Sequence, residues 1–278
     1  MKKSIITLLA FCGLLGASSC DKNNNLLLFG IEQDKQLGQQ VSNEINNDPS
    51  YNILSESQNR EAYAYLEGMR DEILNSGAVE YKDDFAWELK IIDDQNVLNA
   101  FATPGGYIYV YTGLIKYLED PDDLAGVMGH EIAHADLRHT SRNLQNNYGI
   151  QILLSIISGQ ADSELSQIAL GLATNGALMQ FSQKFEKESD LKSVEYLAGT
   201  KYRCDGAATF FQKLEEENPA NEDIFSQINA FFSTHPQPAD RADYIPEEAE
   251  KVGCSTKPSG ESSQQAYDLF KSNLGLLL

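Results

Sequence analysis

Apolar positions in this chain recur mostly at three- and four-residue spacing, which predicts a chiefly helical protein. The pattern is helical from about Ile31 to Asn47 and again from Gln58 to Asn75, where Ala62, Tyr65, Leu66, Met69 and Ile73 share one face. Asp48-Pro49-Ser50 separates the two helices. Two-residue alternation appears in one region only. Phe85 to Ile92 alternates in part, Asn99 to Ala102 is a second short run, and Tyr107 to Tyr111 follows the turn signal Pro104-Gly105-Gly106. In that last run the three tyrosines face one way and Ile108 and Val110 the other, as strand geometry requires. Asp120 as N-cap and Pro121 in the first turn open a helix expected to run to about Arg142. Tyr148 to Met179 reads as a core hairpin broken near Gly159-Gln160, because polar residues interrupt it too often for a membrane span. Further helices are predicted over Gln180–Ala198, Gly206–Glu217, Glu222–Phe232 and near Ala239, with a peripheral amphipathic helix in Gly260–Leu278.

The first nineteen residues break this globular pattern. Lys2 and Lys3 precede an apolar run from Ile5 to Leu15, too short to span a bilayer, and Gly16-Ala17-Ser18-Ser19 leads to Cys20. This is an export signal, and small residues before a cysteine resemble a bacterial lipobox, making Cys20 the expected lipidation site and mature N-terminus. Export predicts a periplasmic or cell-envelope location, with the membrane reached through the lipid. The formal charge of −20 argues against nucleic acid as a partner. With Cys12 in the leader and Cys20 lipidated, Cys204 and Cys254 remain as a candidate disulfide pair in an oxidising compartment.

The chemistry-bearing motif is His130-Glu131-Ile132-Ala133-His134, an H-E-x-x-H. Histidines four apart on a helix share a face and can both turn a ring nitrogen to one metal, and two imidazoles suit Zn²⁺. Glu131 can reach a water on that metal as general base. His139 is the tempting third ligand, but helix geometry argues against it, since five residues past His134 lies about 140° round the axis; packing or a place behind a ligand is the role expected of it. Glu186 and Asp190, also four apart, form the better source: one can bind metal while the other braces a ligand histidine.

These residues resemble the gluzincin metalloendopeptidases of the CAAX-prenyl-protease and HtpX-like group, and more closely its soluble, exported Oma-like and BepA-like branch. The resemblance spans most of Asn99 to Arg241 and rests on four motifs in order: Asn99 to Gly106, Gly129 to His134, Phe181 to Asp190, and Thr234-His235-Pro236 followed by Arg241. Ser189 departs from the family's usual Ala. The resemblance implies an α+β, mainly helical, zincin-like metalloprotease domain with a small sheet whose edge strand flanks the active-site helix. It implies His130, His134 and Glu186 as ligands of one Zn²⁺, Glu131 as base, Asp190 behind a ligand, and Arg241 bracing the site. His235 would steady the oxyanion or cap the zinc at rest. The expected organisation is a signal peptide (1–19), a tether (20–30), the peptidase domain (31–255) and a tail (256–278). Substrate polypeptide would add as an extended strand beside Tyr107–Tyr111. The activity implied is envelope proteolysis of unfolded or misassembled proteins, with assembly partners a further expectation. A zinc-binding chaperone-like factor and a regulatory protease with one substrate are the alternatives.

Overall fold

A computed structural model describes residues 28–174, 180–216, 222–236 and 240–277; the segment expected as a signal peptide and Cys20 lie outside them. Twelve helices are found among the described residues, with three strands: α1 (Ile31–Asn47), α2 (Arg60–Leu74), β1 (Leu89–Ile92), β2 (Ala100–Thr103), β3 (Tyr107–Tyr111), α3 (Thr112–Tyr117), α4 (Pro121–Asp136), α5 (His139–Tyr148), α6 (Ile150–Ile157), α7 (Asp162–Ala173), α8 (Gln183–Leu197), α9 (Gly206–Glu216), α10 (Glu222–Thr234), α11 (Arg241–Val252) and α12 (Glu261–Asn273). None of these helices is long and apolar enough to cross a membrane.

The strand order is β1-β3-β2, with β1 parallel and β2 antiparallel to β3. The alternation in Tyr107–Tyr111 divides the interior. Ile108 and Val110 join a core formed with α2, α4, α8, α9, α11 and α12, while Tyr107, Tyr109 and Tyr111 join a second core with α1, α6 and α7. A strand buried on both faces and paired on both sides is the sheet's centre. This corrects the expectation that substrate pairs beside Tyr107–Tyr111, because β1 and β2 already occupy both of its edges. The edge flanking the zinc-motif helix is β2, which packs against α4.

Two other expectations change. Helix α4 stops at Asp136 rather than Arg142, because Arg138 adopts a left-handed conformation (φ 60°) that no helix continues through. Arg138 is held there by Asp34 Oδ2 and the Phe29 carbonyl, each 2.5 Å from its guanidinium. Nor is the C-terminal helix peripheral: α12 buries Tyr267 and Phe270 in the main core against α2, while Leu269 faces solvent. The hairpin of α6 and α7 forms as expected, turning at Gly159 (φ 70°). Cys204 and Cys254 are bonded, tying the segment before α9 to the end of α11.

Helix α4 is buried on every side. Two glycines let its neighbours approach. A Cβ on Gly126 would stand 2.2 Å from the Ala207 backbone nitrogen of α9, and one on Gly129 would stand 2.6 Å from Ser193 Oγ of α8. Ser193 Oγ instead donates to the Gly126 carbonyl at 3.0 Å. This close α4–α8 contact carries the Glu186 helix to the H-E-x-x-H face.

Candidate metal centre

Helix α4 starts as its sequence demands, with Asp120 accepting from the Asp122 amide at 2.8 Å and Pro121 in the first turn. Three turns on, His130 and His134 project from one face with their Nε2 atoms 2.9 Å apart. Helix α8 is capped by Ser182, whose hydroxyl accepts from the Phe185 amide at 3.2 Å. Its first turn delivers Glu186, whose carboxylate lies 3.5 Å from His130 Nε2 and 3.3 Å from His134 Nε2. From the end of α10, His235 Nδ1 stands 3.3 Å from Glu186 Oε1 and its Nε2 stands 3.8 Å from Glu131 Oε1. One ligating atom from each of His130, His134, Glu186 and His235 lies within 4.8 Å of all the others, and all four residues are buried.

The donor set fits a metal. His130 Nδ1 gives its proton to Asp190 Oδ1 at 2.9 Å, which leaves Nε2 as a lone pair aimed at His134. Glu186 Oε1 and His235 Nδ1 are buried without a hydrogen-bond partner. Lone pairs and a carboxylate oxygen converging on one point are unfavourable unless a cation, a proton or a metal ion, lies between. Tetrahedral zinc, with bonds of about 2.0–2.2 Å, separates its ligand atoms by roughly 3.3–3.5 Å, near the distances seen here.

The field of the site favours positive charge. Burial pulls the His130 imidazole down, but Asp190 bonded at Nδ1 and the carboxylate of Glu186 close by outweigh it and push it up to about 9. Burial acts to raise the Glu186 carboxyl, yet the charge of His235 and the close approach of His130 and His134 hold it well below the usual range. Burial likewise opposes Asp190, whose carboxyl Arg241 and His130 keep low. Glu131 is different: burial dominates and raises its carboxyl. A carboxylate that takes a proton readily is suited to general base work.

Around these groups stands a supporting layer. Arg241 Nη2 donates to Glu186 Oε2 at 3.1 Å and Asp190 Oδ1 at 2.6 Å, and its guanidinium lies 3.4 Å above the Phe211 ring. Tyr244, which the sequence reading missed, donates its hydroxyl to Asp190 Oδ2. Its signal was available: three residues past Arg241 on α11, it shares that residue's face. Phe181 stacks on His134 with ring centres 4.0 Å apart. His139 lies outside the cluster, as expected, but for another reason. The break at Arg138 removes the continuous helix on which it was excluded, and its ring instead meets the rear nitrogen of His134, Nδ1 to Nδ1 at 3.2 Å.

Known proteins resemble this chain over the same region. A match to peptidase family M48 covers residues 46–249. The mitochondrial metalloendopeptidase OMA1 of Schizosaccharomyces pombe is 29% identical over 170 residues, covering 61% of this chain and 49% of the relative. The metalloprotease LoiP of Escherichia coli is 32% identical over 151 residues, covering 53% and 57%. The beta-barrel assembly-enhancing protease of Escherichia coli is 28% identical over 153 residues, covering 52% and 31%. The matched segment is thus less than two thirds of each relative's own length. The family match spans most of the chain and contains the whole buried His-His-Glu-His group, which fits a zinc site. The chain belongs to peptidase family M48.

Proposed function

We propose that this protein is a zinc-dependent endopeptidase of the bacterial cell envelope that hydrolyses peptide bonds in unfolded or misassembled proteins. The observation that carries the reading is the convergence of His130, His134 and Glu186 beside a carboxylate, Glu131, that comes from the same helix as the two histidines and lies outside the ligand set. When bound, zinc would polarise the scissile carbonyl and make a water acidic enough to lose its proton. Glu131, its carboxyl raised by burial, takes that proton and returns it to the leaving amine. Asp190 holds His130 by its Nδ1 proton, and Arg241 balances the charge of Asp190 and Glu186. His235, within 4 Å of both Glu186 and Glu131, closes the site in this conformation; this supports the resting cap over the oxyanion role.

Substrate would lie along β2. Asn99 and Phe101 pair with Tyr111 and Tyr109, so the backbone groups of Ala100 and Ala102 point away from β3. Ala102 O now accepts from Thr140 Oγ1 at 3.1 Å, a bond that an added strand would replace. At the start of β2 a cavity of about 570 Å³, walled by Leu98, Tyr111, Leu170 and Ala230, offers room for a substrate side chain. Ala230 lies about a turn and a half before His235 on α10, so the cavity adjoins the catalytic end of that helix. The export signal and Cys20 support an envelope location through a lipid anchor, and relatives named for beta-barrel assembly support a quality-control role.

The test is metal analysis of the purified full chain together with cleavage of an unfolded casein-type substrate, with Glu131→Gln alongside. One zinc per chain, with cleavage lost in the variant, is the expected result. Absence of zinc in the wild type overturns the reading. Zinc with no cleavage, or client protection that survives Glu131→Gln, favours a chaperone-like factor.

A further inference from the structure

The two ligand histidines are held from behind in different ways. His130 meets a carboxylate directly, Nδ1 to Asp190 Oδ1 at 2.9 Å. His134 meets another imidazole, His139, with Nδ1 atoms 3.2 Å apart. The far nitrogen of His139, Nε2, lies 3.2 Å from Glu188 Oε2. Both imidazoles are fully buried, whereas Glu188 is 28% exposed, so the row runs from the metal face to the surface.

The protons along this row can be assigned from its outer end. An ionised carboxylate only accepts, so His139 Nε2 carries a hydrogen and donates to Glu188. Its Nδ1 is then a lone pair and accepts the Nδ1 proton of His134. His134 Nε2 is left unprotonated, facing His130 Nε2 at 2.9 Å and Glu186 Oε1 at 3.3 Å. Ser189 Oγ, 3.1 Å from His139 Nδ1, can add its hydroxyl to the same lone pair. Ring stacking fixes both planes: Phe181 lies on His134 and Phe185 on His139, the latter at 4.3 Å and 10°. The left-handed turn at Arg138 points His139 this way, since an uninterrupted helix would carry it about 140° past His134.

We propose that His139 is a positioning residue for zinc: with Glu188 behind it, it sets the tautomer and orientation of His134 so that Nε2 faces the metal. The proposal rests on the zinc reading above. Outer partners of this kind typically contribute about 10–100-fold in metal affinity.

The test measures the zinc dissociation constant by chelator competition on the full chain, with a thermal melt of each metal-free variant. His139→Phe keeps the ring and its stacking but loses the acceptor, and zinc affinity should fall about 10–100-fold. His139→Asn can place Oδ1 where Nδ1 stood, and affinity should return to within about tenfold of wild type. Glu188→Gln, more exposed, should weaken zinc by less than His139→Phe. A role in packing alone would reverse the order, favouring Phe over Asn. Equal zinc affinity in His139→Phe and wild type overturns the proposal, as does a folded His139→Asn no tighter than the Phe variant. Should the Phe variant not fold, the Asn variant decides, supporting the proposal within about tenfold of wild type and overturning it beyond about a hundredfold. A wild type that binds no zinc overturns the metal reading itself, a result distinct from either.

Discussion

Buried acid stands at both ends of helix α4, from its own first turn at one end and from α8 at the other, and the two ends treat it differently. At the N-terminus Asp122 accepts backbone N–H groups of Arg203 at 3.3 Å and Ser259 at 2.7 Å, and Asp123 accepts the Thr209 hydroxyl. Neutral, fixed donors meet those carboxylates, and the positive end of the helix adds to them. At the catalytic end Glu186 retains an unpartnered Oε1 beside an unpartnered His235 Nδ1 and two facing imidazole nitrogens. Burial and acidity are common to both. What separates structure from chemistry is whether the acceptors are already satisfied by protein donors or converge where only a cation could satisfy them.

The comparison can be broken most forcefully at Glu131. Glu131→Gln should lower kcat by about 10²–10⁴-fold while leaving zinc content unchanged, as measured by turnover and metal analysis. Next is Glu186→Gln, which removes the carboxylate charge facing His130 and His134. Zinc affinity should fall by on the order of 100-fold or more, beyond the effect of an outer partner, in a chelator titration. The structural end should instead respond in stability. Opening the Cys204–Cys254 bond, whose ends are 50 residues apart, by replacing both cysteines with serine should cost about 2–4 kcal/mol in denaturant unfolding, with zinc still bound.

A pH experiment sharpens the contrast further. Burial pushes the Asp123 carboxyl up to about 6 from an ordinary 3.8. The native state then holds its proton where the unfolded chain has lost it, so this group's contribution to stability falls as pH rises from 3.8 to about 6. Asp123→Asn, which keeps an acceptor for Thr209, should remove that decline and gain about 1–3 kcal/mol above pH 6, read from denaturant midpoints across pH. The smallest effect is expected for Asp120→Ala: loss of the cap should cost about 1 kcal/mol and leave zinc affinity untouched.

Much of this was legible from residue pattern because the determinants are local. The cap Asp120-Pro121, the histidine pair four apart and the four-residue spacing of Glu186 and Asp190 are properties of single helices. The face assignment in Tyr107–Tyr111 follows from strand geometry alone, and the two cores divide along it. The errors are non-local. Whether Tyr107–Tyr111 is an edge depends on which strands pair with it, and β1 reaches it only through a parallel crossover. The end of α4 depends on Arg138 being drawn into a left-handed turn by Asp34 and Phe29, about a hundred residues earlier. Tyr267 and Phe270 looked peripheral because the surface that covers them belongs to α2.

The amino-acid sequence by itself determined the helical character, the H-E-x-x-H pair on one helix face and, through family resemblance, the acidic residue of α8 expected beside it. Each is written in short spacing, where covalent geometry fixes which side chains share a face. Only the tertiary structure decided that α8 crosses α4 closely enough for Glu186 to face His130 and His134, that Tyr244 completes the support of Asp190, and that His139 turns back onto His134 rather than away from it. Those outcomes depend on packing between segments distant in the chain, where glycines at the α4 contacts and one left-handed residue set distances that no local pattern encodes.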